Sequence, residues 1–379
     1  MRLLHTADWH LGRTLNGASF LEDQAALLRG QFLDILRDTR PDALLIAGDI
    51  FDRPIPPAEA MELLDEVLRR AILDLRVPVV LIPGNHDSPD RLRFGAALLR
   101  EAGLHIAESA LGLPVVLADS HGPVHILPSG YASPLLLAQL LGDRELADHD
   151  AGYGVLCRML RGQCPGGARM VMVAHAFVAG AEETPDSERQ LMVGGAKPVA
   201  PARFEGLHYV ALGHLHRPQS LAGGRIRYSG SPLAYSFAEA GQAKSVTLVE
   251  MDAAGAVTTE AIPLTPARQL RRLRGTLEDL LRDPPAEGRR DWLQVTLTDP
   301  GPVWDPMARL REVWPGVIEL DFERHRYLAE PGALPCRPRG GEPLDLLAAF
   351  HAELRGADLP EAARPVALKA IARAAAQEA

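Results

Sequence analysis

The sequence predicts an α/β protein built from layered sheets and helices. Three observations carry that prediction. Short apolar runs alternate with helix-length amphipathic stretches through the first two-thirds of the chain. Five of those runs end in Asp, Asn or His, where a strand would open into a loop. At 379 residues and 47% hydrophobic content the chain can build a large core and more than one domain.

The runs expected as strands are "RLLHTA", "DALLIAG", "VPVVLIPG", "VHILPSG", "RMVMVAH", "YVALGH", "IRYSG" and "SVTLVEMD". Between them, residues 20–39 place Leu28, Phe32, Ile35 and Leu36 at helical spacing. A second helix is expected over 56–72. A third is expected over 88–103, with Ser88 as its cap and Pro89 in its first turn. Residues 178–200 are polar and interrupted by Gly and Pro, which reads as a long surface loop. After residue 263 the pattern becomes strand, helix, strand, helix, strand, a compact βαβαβ unit over 263–332. A Pro/Gly-rich linker and two helical stretches occupy 333–379. The first stretch carries Leu344, Leu347, Phe350, His351 and Leu354 on one stripe. Helices this short need a surface to dock on, either the body or a partner.

The net charge of −9 opposes autonomous nucleic-acid binding unless bound cations or a basic partner reverse the local sign. Cys157, Cys164 and Cys336 show no metal-type spacing, and their odd number points to a reducing compartment. The N-terminus reaches His and Asp too early for a signal-peptide core, and no apolar run is long enough to span a bilayer. A cytoplasmic protein with no membrane contact is the expectation.

The chemistry sits at the five strand ends. They deliver Asp8 and His10, Asp49, Asn85 with His86 and Asp87, His175, and His214 with His216. Residues two apart on extended backbone share a face, so Asp8/His10 and His214/His216 read as ready-made ligand pairs. A lone strand-end His is ordinarily a hydrogen-bonded structural residue, and a lone "GD" or "GNHD" is ordinarily a turn. Five such ends without a competing cluster point instead to one metal centre. Seven oxygen and nitrogen donors without thiolate exceed what one tetrahedral ion takes and suit two ions of the Mn, Fe or Zn type. Two such ions need a bridging carboxylate, and together they activate water and neutralise charge on a phosphate ester.

In this order, Asp-x-His, Gly-Asp, Gly-Asn-His-Asp, a strand-end His and Gly-His-x-His resemble the calcineurin-like metallophosphoesterases. The wording "LLHTADWHLG", "AGDIFD", "PGNHDS", "YVALGHLHRPQ" and "RYSGSPLAYSF" is similar to the SbcD-type nuclease subunits within them. The resemblance covers residues 1–250 closely and the remainder more weakly. It implies a metallophosphoesterase-type β-sandwich flanked by helices over 1–262, a capping domain over 263–332, and partner-docking helices over 333–379. It also implies a dinuclear phosphodiester hydrolase, acting as exo- and endonuclease on DNA ends and hairpins in repair, recombination and replication.

By the same resemblance, Asp8, His10, Asp49 and His216 hold one ion, and Asp49, Asn85, His175 and His214 hold the other, with Mn²⁺ as the metal. His86 stays off the ions and assists the leaving oxygen, and Asp87 steadies the His86 ring. Relatives place a second functional His where this chain has Asp52, so His86 carries that task alone; Arg53 pairs with Asp52 or meets a phosphate. The implied partners are DNA, an SbcC-type coiled-coil ABC ATPase subunit, and a second copy of the chain joined through the helices at 57–75 and 89–102, giving a homodimer within a heterotetramer. "RQLRRLRG" reads either as a solvated edge strand or as a DNA contact. Two alternatives stand beside this one. A small-molecule phosphodiesterase would share the ligand set but would not need the C-terminal unit, and a non-catalytic scaffold would have lost ligands, whereas all seven positions and His86 are present.

Overall fold

The computed structural model describes residues 1–143, 148–185, 187–188, 197–282, 284–285, 288–323, 342–355 and 357–375. The chain divides into two compact units. One comprises Met1–Leu273, Pro284–Gln294 and Met307–Glu319; the other comprises Arg274–Asp283, Val295–Pro306 and Leu320–Ala379.

In the first unit one six-stranded sheet runs in the order β14 (Val257–Leu264), β13 (Lys244–Met251), β1 (Arg2–Thr6), β4 (Ala43–Ala47), β5 (Val79–Ile82), β6 (Leu104–Ile106). A second runs β11 (Gln219–Leu221), β12 (Ile226–Tyr228), β10 (Tyr209–Gly213), β9 (Arg169–His175), β8 (Gly122–Ser129), β7 (Val115–Asp119). A short hairpin, β2 (Thr14–Leu15) and β3 (Ala18–Ser19), follows β1. Leu3, Leu45, Val80 and Ile82 of the first sheet meet Val124, Ile126, Val171, Val173 and Tyr209 of the second in a shared core. The opposite faces carry Leu4, Leu44, Ile46 and Leu81 against Phe32, Leu36, Leu63 and Val67 of the outer helices. On the other side, Met172, Ala174, Val210 and Leu212 pack with Tyr153, Leu156 and Leu160 of helix His149–Gly162. The result is a β-sandwich flanked by helices. It explains why the central strands read as continuous apolar runs: both of their faces are buried.

Strands β1, β4, β5 and β6 are parallel, as are β8, β9, β10 and β12. Their C-terminal ends therefore emerge along one edge of each sheet, with Ala47 level with Ile82 and Gly213 level with His175. Strand β4 packs across from β9 and β10, which brings the two edges together. Crevices at such strand ends are where ligands bind in sheets of this kind.

Several expected elements differ in detail. The helix over 20–39 is present as Leu21–Leu27 and Leu33–Thr39 joined by a wide turn at Leu28–Phe32. The helix expected over 88–103 is two short ones, Pro89–Leu92 and Ala96–Glu101, because Gly95 between them adopts φ 74°. Ser88 makes no side-chain cap there. Strands β6, β7 and β14 and helices Pro134–Leu141 and His149–Gly162 were not foreseen. β7 is an apolar run, Val115 to Ala118, although only alternate residues turn inward, as at a sheet edge.

The strand–helix alternation beyond residue 263 is present as β15 (Leu270–Gly275), helix Leu277–Arg282, β16 (Trp292–Leu297), helix Pro306–Val313 and β17 (Val317–Phe322), paired in the order β15-β16-β17. Arg271 of β15 pairs with Asp291 at 3.3 Å, and Arg274 pairs with Glu323 at 2.7 Å. Within the second unit, Asp279 donates its N–H to Thr276 Oγ1 at 3.2 Å, and Asp299 accepts the Leu277 N–H at 2.9 Å. The first turn of Leu277–Arg282 thus has partners for its free donors. Helices Pro343–Arg355 and Arg364–Ala375 end the chain, with Leu347, Phe350, Val366 and Leu368 exposed. Cys157 and Cys164 are free, and Cys336 lies outside the described residues. No helix among the described residues is long and apolar enough to cross a membrane.

Leu45 has no solvent exposure and sits in the core between the sheets. Leu45→Ala is expected to lower unfolding free energy by about 2–5 kcal/mol, measured by urea denaturation, because that core cannot collapse around the cavity.

Candidate metal centre

All five predicted strand ends converge, but not through extended backbone. Strand β1 stops at Thr6 and β10 at Gly213, and Asp8, His10, Asp49 and His214 take φ values of 54°, 45°, 48° and 104°. Non-glycine residues rarely hold such angles, and the surrounding structure must impose them. Here it does: Asp8 N–H donates to the Gly48 carbonyl at 3.0 Å, and His10 N–H donates to the Asp49 carbonyl at 2.9 Å. The loops after β1 and β4 therefore run on together beyond the sheet. The expected same-face pairing of Asp8 with His10, and of His214 with His216, arises from these left-handed turns and not from strand periodicity.

Asp49 lies at the centre. Its Oδ1 accepts the His86 N–H at 2.9 Å. Its Oδ2 stands 3.6 Å from His10 Nε2 and 3.5 Å from His175 Nε2. His10 Nε2 and His216 Nε2 approach to 3.1 Å on one side, and His175 Nε2 and Asn85 Oδ1 to 2.9 Å on the other. Asp8 Oδ1 accepts the His214 N–H at 2.8 Å. Gly84 has to be glycine, since a Cβ there would stand 2.2 Å from Asp49 Oδ1.

Two triads bring potential ligand atoms within 4.8 Å of one another: Asp8, Asp49 and His175, and His10, Asp49 and His86. Asp49 belongs to both, as a bridging carboxylate would. Asp8 Oδ2 and His214 Nε2 are buried without any hydrogen-bond partner among the described residues. Buried polar atoms are ordinarily satisfied, so such orphans facing a cluster of lone pairs fit a cation. Burial pushes the Asp8 carboxyl up to about 7 and the His10 imidazole down to about 4. Burial would raise Asp49 too, yet His175, His10 and His86 hold it well below the usual carboxylate range. The donors are oxygen and nitrogen only, and they fit two divalent ions.

His86 is half-buried, its ring edge-on to His10 with centroids 4.7 Å apart. Its Nδ1–H donates to the Asp52 carbonyl at 2.9 Å. Asp87 does not touch that ring. Its carboxylate accepts from Ile50 N at 3.0 Å, Phe51 N at 2.9 Å and Gly84 N at 2.8 Å, pinning the Pro-Gly turn to the loop after Asp49. Nor does Arg53 pair with Asp52; Arg13 does, at 2.9 Å, and Asp52 Oδ1 lies 3.5 Å from His10 Nδ1.

Two features behind the ligands escaped the sequence reading. Glu239 and Lys244 form a buried ion pair beside His216, and Ser187 and Glu188 of the expected surface loop turn inward to the same histidine. The one available signal was Lys244, one of only three lysines in an Arg-rich chain. Within the 178–200 loop, residues 186 and 189–196 lie outside the described residues.

Comparison with known proteins adds three findings. A family model described as calcineurin-like phosphoesterase matches residues 1–218. An SbcD C-terminal model, described as type 5 capsule protein repressor C-terminal domain, matches residues 266–353. A dimetal phosphatase from Danio rerio is similar at 13% identity and TM-score 0.37, over 70% of this chain and 99% of that one.

Removing the Asp87 carboxylate would leave three backbone donors without acceptors. Asp87→Ala is expected to cost about 1–3 kcal/mol in stability for each donor that finds no substitute, and about 3–9 kcal/mol when none does, measured by denaturant titration.

Proposed function

This chain belongs to the calcineurin-like phosphoesterase family, and we propose that it is the DNA nuclease subunit of an SbcCD-type complex, cutting duplex ends and hairpins. The observation that carries the reading is a buried carboxylate, Asp49, standing 3.6 Å from His10 Nε2 and 3.5 Å from His175 Nε2, with Asp8 Oδ2 and His214 Nε2 orphaned in the same cluster. The match over residues 266–353 supports the nuclease rather than a small-substrate enzyme.

In this reading Asp8, His10, Asp49 and His216 hold one ion, and Asp49, Asn85, His175 and His214 hold the second, with Mn²⁺ as the metal. When bound, such a pair supplies hydroxide at neutral pH and neutralises the phosphodiester's developing charge. The protein does the rest. His86 is fixed through Nδ1–H by the Asp52 carbonyl; as the imidazolium it would carry a second proton on Nε2, give that proton to the leaving oxygen and end as the neutral ring. Against its burial, Asp52 is held at a pKa of about 2 by the His10 ring and then by Arg13, so it accepts bonds and donates no proton near neutrality.

We assign residues 1–262 to the nuclease domain, 263–332 to a capping domain and 333–379 to the docking of the ATPase partner in the cytoplasm. Exposed Leu347 and Phe350 support the last assignment. The net charge of −9, with Arg271 and Arg274 of β15 already paired to acids, favours weak DNA binding by the isolated chain. A groove of about 410 Å³ lined by Met61, Leu68, Leu73, Leu92 and Leu99, beside exposed Phe94 and Leu98, supports a homodimer.

The deciding experiment compares hairpin and blunt duplex DNA with a small phosphodiester in Mn²⁺, with and without the ATPase subunit. DNA cleavage is expected; turnover of the small ester with no DNA cleavage under any condition would sink the nuclease reading. His86→Ala should lower kcat about 10²- to 10⁴-fold while both ions remain bound, followed by steady-state kinetics and metal analysis. Replacing Phe94 and Leu98 together by Glu should convert a dimer to a monomer in sedimentation, with hydrolysis of a small ester unaffected.

A further inference from the structure

The pair Glu239–Lys244 has no role in the reaction as described, yet it is among the most buried charge in the molecule, with Glu239 fully buried and Lys244 5% exposed. A buried ion pair is no better for stability than apolar residues of the same shape. Its presence calls for another reason, and the geometry supplies one.

Glu239 Oε1 accepts His216 Nδ1–H at 2.9 Å, the Ser187 hydroxyl at 2.5 Å and Tyr235 N–H at 3.2 Å. Glu239 Oε2 accepts Lys244 Nζ at 2.5 Å, and the same ammonium donates to the His216 carbonyl at 3.0 Å and Ser231 Oγ at 3.0 Å. The main-chain N–H of His216 donates to Glu188 Oε1 at 3.0 Å. Both ends of His216 and one edge of its ring are therefore gripped, and only Nε2 is left to face His10. By contrast, His175 is backed at Nδ1 by a neutral carbonyl, that of Ala47 at 2.9 Å.

We infer that Glu239, held by Lys244, is a positioning residue for His216. It fixes the proton on Nδ1, aims the Nε2 lone pair into the metal cluster and strengthens it as a donor, while Ser187 and Glu188 add hydrogen bonds to Glu239 and to the His216 backbone. Carboxylates behind metal-bound histidines act in this way. The inference rests on the metal-centre reading above and adds which residues set one ligand's tautomer.

The test uses the full chain stripped of metal, titrated calorimetrically with Mn²⁺, with ¹⁵N NMR of the His216 ring and the melting temperature of the metal-free protein. Wild type is expected to take up two ions and to show the Nδ1–H tautomer. Glu239→Gln should weaken one binding step about 10- to 100-fold, leave the other nearly unchanged and mix the tautomers. The double variant Glu239→Gln/Lys244→Met removes both charges together, guards against a folding failure from an unpaired buried Lys, and should show the same one-step loss. Ser187→Ala should give a smaller loss at that step. Two unchanged affinities and an unchanged tautomer in the variants would overturn the inference. So would equal weakening of both steps that tracks a fall in the metal-free melting temperature. Wild-type protein that takes up no Mn²⁺ overturns the metal-centre reading itself.

Discussion

Asp49 is a carboxylate with almost no access to water, set among three imidazoles, and its neighbours are arranged around keeping it ionised in one orientation. Removing a charge from water costs several kcal/mol unless partners replace the lost solvation. Here the replacement comes from His86 N–H and from the rings of His10 and His175, and cations held by the cluster would add to it. The glycines on either side follow from it. Gly84 leaves room for the carboxylate, and Gly48, at φ 90°, leaves room for His175, whose Nδ1 would stand 2.4 Å from a Cβ there.

Placing charge so deep requires backbone that no strand or helix provides. Four of the candidate ligands sit at positive φ, and each such turn costs on the order of 1–3 kcal/mol. The two-sheet core beneath them holds the turns in place, because β1, β4, β5, β9 and β10 are buried on both faces and cannot slip without exposing whole rows of apolar side chains. Asp87 and the paired loops after β1 and β4 carry that rigidity the last few ångströms to the cluster. The histidines are then oriented from behind, His175 by a carbonyl and His216 by a buried carboxylate.

Much of this was legible in the chain. The eight apolar runs read as strands are strands, and the βαβαβ alternation after residue 263 is present. All eight candidate residues, from Asp8 to His216, lie at one strand-end crevice. What failed had physical causes. Strand β6 is only three residues, Leu104–Ile106, with a His in the middle, too short to stand out as an apolar run. The helix over 88–103 broke at Gly95, whose freedom a periodicity count ignores. Neighbours in sequence misled as well: Asp87 follows His86 yet serves the backbone of Ile50, Phe51 and Gly84, and Arg53 follows Asp52 yet leaves it to Arg13.

The sequence by itself determined which side chains could meet a metal, because five strand ends in one chain finish in Asp, Asn or His with no competing cluster. It also determined the layered architecture, since doubly buried strands must be covered on both faces. Only the tertiary structure decided how those side chains are aimed. The φ of each ligand, the acceptor behind each imidazole and the inward turn of Ser187, Glu188, Glu239 and Lys244 depend on contacts between residues far apart in the chain. Such contacts have no local signature, because they exist only once the two sheets have packed.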